Sequence, residues 1–478
     1  MNVERQALAA LKWSAGAKFL GQLISWAVTL VVLRILAPAD YGLMAIVTVI
    51  ISIIAGFAEF GLGASLIQSP RLDPLQLSRI GGALGALNIG CGLLVVAAAP
   101  WLAEIFADYR LQLLIQVSSL HFVIAAAEVV PQSLAQRELN FARVARIEIA
   151  STIVNSLSTL LLAANGSGVW ALVIGGLLGS AARAALYVAS SPIIWPSFRF
   201  DGIGRHVKFG GTVTLTRVLW QLTYQMDTLI AARFLTREAL GLYSVAMHLA
   251  TLPMNKAMGV VNQVAFPAVA RLQDELPRLR ARLLESLRLL AFIAIPALWG
   301  ISAVAPEFID VVLGEKWRAA TLALQLVSLA APLRMLAAVL ATALAAIGRA
   351  DVELRNTAVS AAILPLSFAI AVQWDVNGLA ASWLVAVPLA CAINFPRTSS
   401  ALGLPLAQIL AASRAPILAG SIMYFSVSVV RMLLQDYEEL TRLPILVLVG
   451  GAAYLSSVML LDRAIWTDVR RVAAALRQ

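Results

Sequence analysis

Stretches of about 20 mainly apolar residues recur along the whole 478-residue chain, and that recurrence limits what it can become. A helix of that length crosses a bilayer core of roughly 30 Å, and only structures that satisfy their own backbone can do so. Windows of about 19 residues place helices near Ser14–Leu36, Gly42–Gln68, Ile80–Trp101, Leu111–Gln132, Arg143–Leu162 and Gly168–Ser190. A second group lies near Val207–Leu235, Leu240–Ala268, Leu284–Ala305, Ala319–Ile347, Leu354–Gln373 and Asn377–Phe395, with a final pair at Ile409–Val430 and Leu443–Leu461. The expected class is an all-α membrane protein with about 14 transmembrane helices. Composition agrees: 60% hydrophobic and 13% charged lies far from the soluble range. The first hydrophobic stretch lacks a cleavage site of small residues and reads as a retained membrane helix.

Positive charge fixes an orientation. Of 36 Lys and Arg, 24 fall in alternate regions shared with the N-terminus, and eight fall on the other side: Arg34, Arg110, Arg233, Arg237, Lys316, Arg318, Arg431 and Arg442. The positive-inside rule then puts both termini in the cytoplasm. This distribution also accounts for the net charge of +10 through contact with anionic headgroups, with no nucleic-acid partner required. No loop exceeds about 25 residues or carries the paired carboxylates or His clusters of a catalytic domain. Cys91 and Cys391 sit in apolar segments and imply neither a disulfide framework nor redox chemistry. His121, His206 and His248 are scattered, without metal-ligand spacing, so neither a metal nor a cofactor is expected.

A shift of 199 residues aligns the first helix with the seventh. Lys18 meets Arg217, Gln22 meets Gln221, Arg34 meets Arg233 and Gly42 meets Gly241, so that RILAPADYGL is echoed by RFLTREALGL. A weaker echo pairs AAPWLAEIFAD with VAPEFIDVVLG. Six helices separate the copies, which makes them parallel repeats, an arrangement in which transporters bind substrate between halves. The expected organisation is a six-helix lobe over 1–200, a second over 201–400, and a helix pair with a cytoplasmic tail over 401–478.

The four remaining basic residues are Lys18, Arg217, Lys256 and Arg334, all within expected spans. Lys18, Gln22, Ser25 and Thr29 share one helical face, and Arg217, Gln221, Tyr224 and Thr228 repeat it. Charge at bilayer depth is costly enough that such faces turn to a bundle interior or a wet cavity. A cationic cavity suits a diphosphate, to which ammonium and guanidinium groups donate strong hydrogen bonds. The alternative for Lys18 is snorkelling to headgroups. Asp227, Glu59 and Glu128 are read either as proton or cation sites or as ion-pair partners of nearby basic groups. Gly81 with Gly85, and Gly175 with Gly179, have the spacing of close helix packing.

Several runs carry a family resemblance over the whole chain: VLRILAPADYGLMAI, QMDTLIAARFLTREALGLYSVAMHLATLP, VAFPAVARL, VLGEKW and AAIGRADVELRN. They resemble the polysaccharide-transport flippases of the multidrug/oligosaccharidyl-lipid/polysaccharide exporter superfamily. LAQRELNFARVARIEIA, GSGVWALV and WPSFRF resemble the colanic-acid-exporter-like branch. The resemblance implies two six-helix lobes opening alternately to cytoplasm and periplasm of a bacterial inner membrane. It implies a cargo of lipid-linked oligosaccharide diphosphate, carried on undecaprenyl and flipped before polymerisation. Membrane lipids, a coupling proton or Na⁺, and the polysaccharide polymerase machinery are the implied partners. A cation-coupled drug exporter of the same superfamily would want acids in the cavity, and a polymerase or ligase would want a long periplasmic loop.

Overall fold

The structure, a computed structural model, describes residues 21–22, 24–59, 73–138, 141–191, 195–199, 201, 204–271 and 276–462. Within these, the side chains of 59, 141, 204–213, 215–217, 255–271, 276 and 350 are outside the description. The described residues form helices and connecting turns, as the apolar periodicity requires. Ten stretches among them are long and apolar enough to cross a membrane, and a shorter apolar helix, α1, covers Ile24–Ile35. The all-α membrane class is therefore the one expected, and fourteen spans remains the sequence's proposal. One of the ten, Asp351–Leu402, is broken by a single 3-10 turn at Val372–Trp374, after which Asp375 takes a positive φ of 61°.

Contacts divide the chain into two compact units, Met1–Gly241 and Leu242–Gln478. The first contains α1, α2 (Pro38–Glu59), α3 (Pro74–Ile105), α4 (Arg110–Ser118), α5 (Leu120–Arg137), α6 (Phe141–Ala164), α7 (Val169–Ala189) and α8 (Gly204–Phe234). It ends in the first turn of α9 (Arg237–Arg271). The local chemistry of the helix starts is plain. Pro38 occupies the first position of α2, where its missing N–H is harmless, and Asp40 reaches back to accept from the Ala37 N–H at 3.0 Å. Asp73 caps α3 in the same spirit, accepting from Leu75 N at 3.3 Å ahead of Pro74. At the repeat-related start of α9, Thr236 Oγ1 accepts from Ala239 N at 3.2 Å.

Close packing in this unit depends on small residues. A methyl on Gly175 would run into Thr159, and one on Gly179 would come within 2.6 Å of Asn155 Cβ, so α7 lies against α6 along the expected glycine face. On α3 a methyl on Gly81 would stand 3.5 Å from Val130 of α5, and one on Gly92 of the same stripe 3.3 Å from Phe122 of α5. Space beside Gly85 is open, and the neighbouring Gly82 instead meets the Ser197 backbone, where Ser197 N donates to Ser78 O at 2.9 Å.

The second unit contains α10 (Leu276–Phe308), α11 (Thr321–Ala346), α12 (Ala350–Ala371), α13 (Asp375–Leu402), α14 (Leu406–Leu433) and α15 (Glu439–Leu461). Leu283, Leu287, Leu290, Ala294 and Leu298 form the helical stripe by which α10 packs on Met335, Val339 and Leu344 of α11. The final pair, α14 and α15, docks on the other side of α10. Tyr454 OH donates to Phe292 O at 2.9 Å, and Gly420 admits Ile295. Buried Glu307 receives Arg431 through both carboxylate oxygens, at 2.8 and 2.9 Å, with Arg442 at 3.4 Å.

Candidate functional site

A cavity of about 620 Å³ opens inside the first unit. One wall is a stripe of α2 that runs from Met44 and Thr48 through Ser52 to Gly56, residues that a 3.6-residue period puts on one face. Leu172, Gly176 and Ser180 of α7 supply a second such stripe, His121 of α5 a third side, and Trp220 with Gln221 of α8 the fourth. Among the described residues, no Lys, Arg, Asp or Glu lines it. Its polar groups are hydroxyls, one imidazole and one carboxamide set into an apolar wall.

Two local contacts shape that wall. The Trp220 indole stacks at a tilt on Tyr224, one turn along, with ring centroids 4.6 Å apart, while remaining 49% exposed. Ser52 Oγ lies 3.2 Å from Gln225 Oε1 and 2.9 Å from the Val49 carbonyl, tying α2 to α8. Gly56 lets α8 approach, since a methyl there would stand 3.1 Å from Val218 and 3.5 Å from Gln221 Oε1.

The sequence-derived residues distribute as follows. Gln221 is in the cavity wall, Tyr224 supports it through Trp220, and Gln22 is half-buried on the N-terminal side of α1. Asp227 is buried, and its carboxylate accepts from Thr228 N at 2.6 Å with Thr228 Oγ1 at 3.2 Å. Glu128 is buried and forms an ion pair with Arg183 at 2.6 Å. Arg334, in the second unit, places its guanidinium carbon 4.0 Å above the Trp383 ring, a cation–π contact in a buried setting. Trp383 is itself held by a hydrogen bond from Nε1 to Tyr243 OH at 2.8 Å and by Phe368 at 4.8 Å between centroids. Lys18 lies outside the described residues, as do the side chains of Glu59, Arg217 and Lys256. Among the described residues no group of three or more His, Cys, Asp or Glu is placed to hold a metal ion.

Sequence reading passed over Trp220, Ser52 and His121 as wall residues. The available signal was the aromatic pair at i and i+4, Trp220 and Tyr224, beside a polar face already singled out. It also passed over a set of interlocks at one end of the first unit. Asp40 accepts from Val169 N at 3.1 Å, joining the start of α2 to the start of α7. Asp108 binds Arg110 at 2.8 Å and Arg237 at 3.4 Å, and the Arg110 hydrogen bond holds its carboxyl below the usual carboxylate range. The repeated glycines meet there reciprocally. A methyl on Gly42 would strike the Arg237 carbonyl and one on Gly241 the Pro38 carbonyl, positions that correspond under the 199-residue shift.

Comparison with known proteins assigns the architecture. The family described as polysaccharide biosynthesis protein matches residues 31–322. The lipopolysaccharide biosynthesis protein WzxC of Escherichia coli (strain K12) is 28% identical over 362 residues, 74% of this chain and 73% of that protein. The teichuronic acid biosynthesis protein TuaB of Bacillus subtilis (strain 168) is 30% identical over 336 residues, 69% and 68% of the two chains. In fold, the chain is similar to a solved structure of the lipid II flippase MurJ in an inward closed conformation, with a TM-score of 0.75, 15% identity and coverage of 95% and 99%. The chain belongs to the polysaccharide biosynthesis protein family.

Proposed function

We propose that the protein is a flippase that moves an undecaprenyl-diphosphate-linked oligosaccharide repeat unit from the cytoplasmic to the periplasmic leaflet of a bacterial inner membrane, for surface polysaccharide assembly. The observation that carries this reading is the combination of family membership with a flippase-like fold over 95% of the chain. A charged, sugar-bearing headgroup cannot cross hydrocarbon unaided, because both its charges and its hydroxyls would lose water without replacement. A protein path must therefore supply counter-charge and hydrogen bonds. No bond in the cargo is made or broken, so the chain needs no catalytic constellation.

In this reading two six-helix lobes, 1–200 and 201–400, with the pair 401–478 beside them, alternate in opening to the two leaflets, and both termini are cytoplasmic. Lys18, Arg217, Lys256 and Arg334 draw in the diphosphate, while Gln22, Gln221 and Tyr224 contact the cargo. The Arg334 geometry supports its part: stacked on Trp383, the guanidinium loses less rotamer freedom on binding phosphate than a free side chain would. Asp227 or Glu59 carries a proton or Na⁺ if movement is coupled, and the polymerase machinery takes up the delivered unit.

The test is translocation of undecaprenyl-diphosphate-glucose in proteoliposomes, with and without an imposed pH gradient. Wild-type protein is expected to flip it, and Lys18→Ala with Arg217→Ala to slow it at least about tenfold, a loss of 1.4 kcal/mol or more in headgroup interaction. Normal flipping by the double variant at normal protein abundance would sink the diphosphate clamp. Absence of flipping by the wild type, under any gradient, would sink the flippase reading.

A further inference from the structure

We propose that the cavity of the first unit is a subsite for a neutral sugar ring of the cargo, with Trp220 as its stacking platform and Gln221, Ser52, Thr48, His121 and Ser180 as its hydrogen-bonding rim. The proposal rests on the flippase reading and adds to it where the sugar goes.

The wall chemistry selects the occupant. The described lining residues carry hydroxyl, imidazole and carboxamide groups in an apolar wall, so the part of the cavity they form offers partners to sugar hydroxyls rather than counter-charge to a diphosphate. A polyprenyl tail fits no better, since it would strip water from the carboxamide, the imidazole and the hydroxyls without replacing a single hydrogen bond. A pyranose ring has the opposite profile. Its C–H faces are apolar and weakly positive, which suits the negative face of an indole, and its hydroxyls each donate and accept at the ring edge. Trp220, 49% exposed and packed against Tyr224, brings such an indole to the cavity wall. The polar rim comes from α2, α5, α7 and α8, so donors and acceptors surround the platform rather than lying on one side of it. A volume of about 620 Å³ falls within the usual range of small-molecule sites. Gly176 keeps it clear, because a side chain there would project into open space.

The experiment compares two lipids with purified full-length protein in a detergent that lacks a sugar headgroup: undecaprenyl diphosphate and undecaprenyl-diphosphate-glucose. Wild type is expected to bind the glucosylated lipid about tenfold more tightly, the discrimination that a site built to hydrogen-bond hydroxyls readily supplies. Trp220→Leu and Gly176→Leu are expected to erase that preference while leaving the sugar-free lipid within about twofold of wild type, with Trp220→Phe keeping part of it. In a background where Cys91 and Cys391 are Ala, Ser52→Cys should be shielded from maleimide by the glucosylated lipid and not by the sugar-free one. Equal binding of both lipids by wild type overturns the subsite and leaves the flippase reading standing. Binding preference without translocation overturns the flippase reading and leaves the subsite. A preference that survives Trp220→Leu and Gly176→Leu, an equal weakening of both lipids, or no binding of either lipid by wild type overturns the subsite.

Discussion

At the scale of single residues, the internal repeat acquires a physical reason. Gly42 and Gly241 were legible as matched letters, but a sequence cannot say what a missing side chain makes room for. The structure supplies it: each glycine faces a backbone carbonyl of the other copy, and a backbone cannot swing aside as a side chain can. Gly42→Ala is therefore expected to lower stability by about 1 to 3 kcal/mol, the usual range for overpacking. Gly90→Ala, in an open helical position, should fall within about 0.5 kcal/mol of wild type. Thermal unfolding of both in detergent checks the contrast. Asp108 makes a second case, illegible beforehand because its partners, Arg110 and Arg237, are near and far in sequence. Its folded carboxyl lies below the ordinary value near 4, so the contact contributes fully above that value and is lost only as pH falls through the lowered one. Asp108→Asn should cost about 1 to 3 kcal/mol at pH 7, and unfolding curves of variant and wild type should converge in strong acid.

At the scale of elements, position along the chain was readable because a bilayer demands a length, while facing was readable only where chemistry is one-sided. The Gly175 and Gly179 face met α6 as its spacing implied, whereas on α3 Gly81 meets Val130 of α5 at ordinary contact distance, Gly85 meets open space, and the tightest approach is that of Ser197 to the neighbouring Gly82. Small-residue spacing names a face that could pack, and only the tertiary arrangement chooses among several such faces in a glycine-rich helix. The docking of α14 and α15 on α10 was similarly hidden, since Glu307 lies over 100 positions from Arg431 and Arg442. That carboxylate is 1% exposed and receives two guanidinium groups. Glu307→Gln removes the carboxylate that Arg431 binds and leaves Arg442 with Glu439 at 3.8 Å, a loss of about 3 to 5 kcal/mol by the measure of broken buried pairs. Limited proteolysis should then cut the α14–α15 connection, around Gln435–Glu438, in the variant well before the wild type.

At the scale of the molecule, orientation is the property that the charge count and the structure jointly expose to test. The 32 residues of α3 give a rod about 48 Å long, enough to pass through both the hydrocarbon and the headgroup layers. Its first turns meet the 195–201 segment, where Arg79 donates to Asp201 O at 2.6 Å, and its last turn leads into the Asp108 interlock. Trp195 and Tyr109, 80% and 86% exposed, therefore mark opposite ends of one helix and must face opposite sides of the membrane if that helix spans it. In the orientation proposed from the bias of Lys and Arg, the Trp195 end is expected on the cytoplasmic side. With Cys91 and Cys391 replaced by Ala, Tyr109→Cys should react with an impermeant maleimide once the outer membrane is opened, whereas Trp195→Cys should react only after the inner membrane is permeabilised. The reverse pattern would invert the topology, and with it the leaflet from which a headgroup is collected. Equal labelling of both sites in spheroplasts would mean that α3 does not span, which its length and apolar surface speak against.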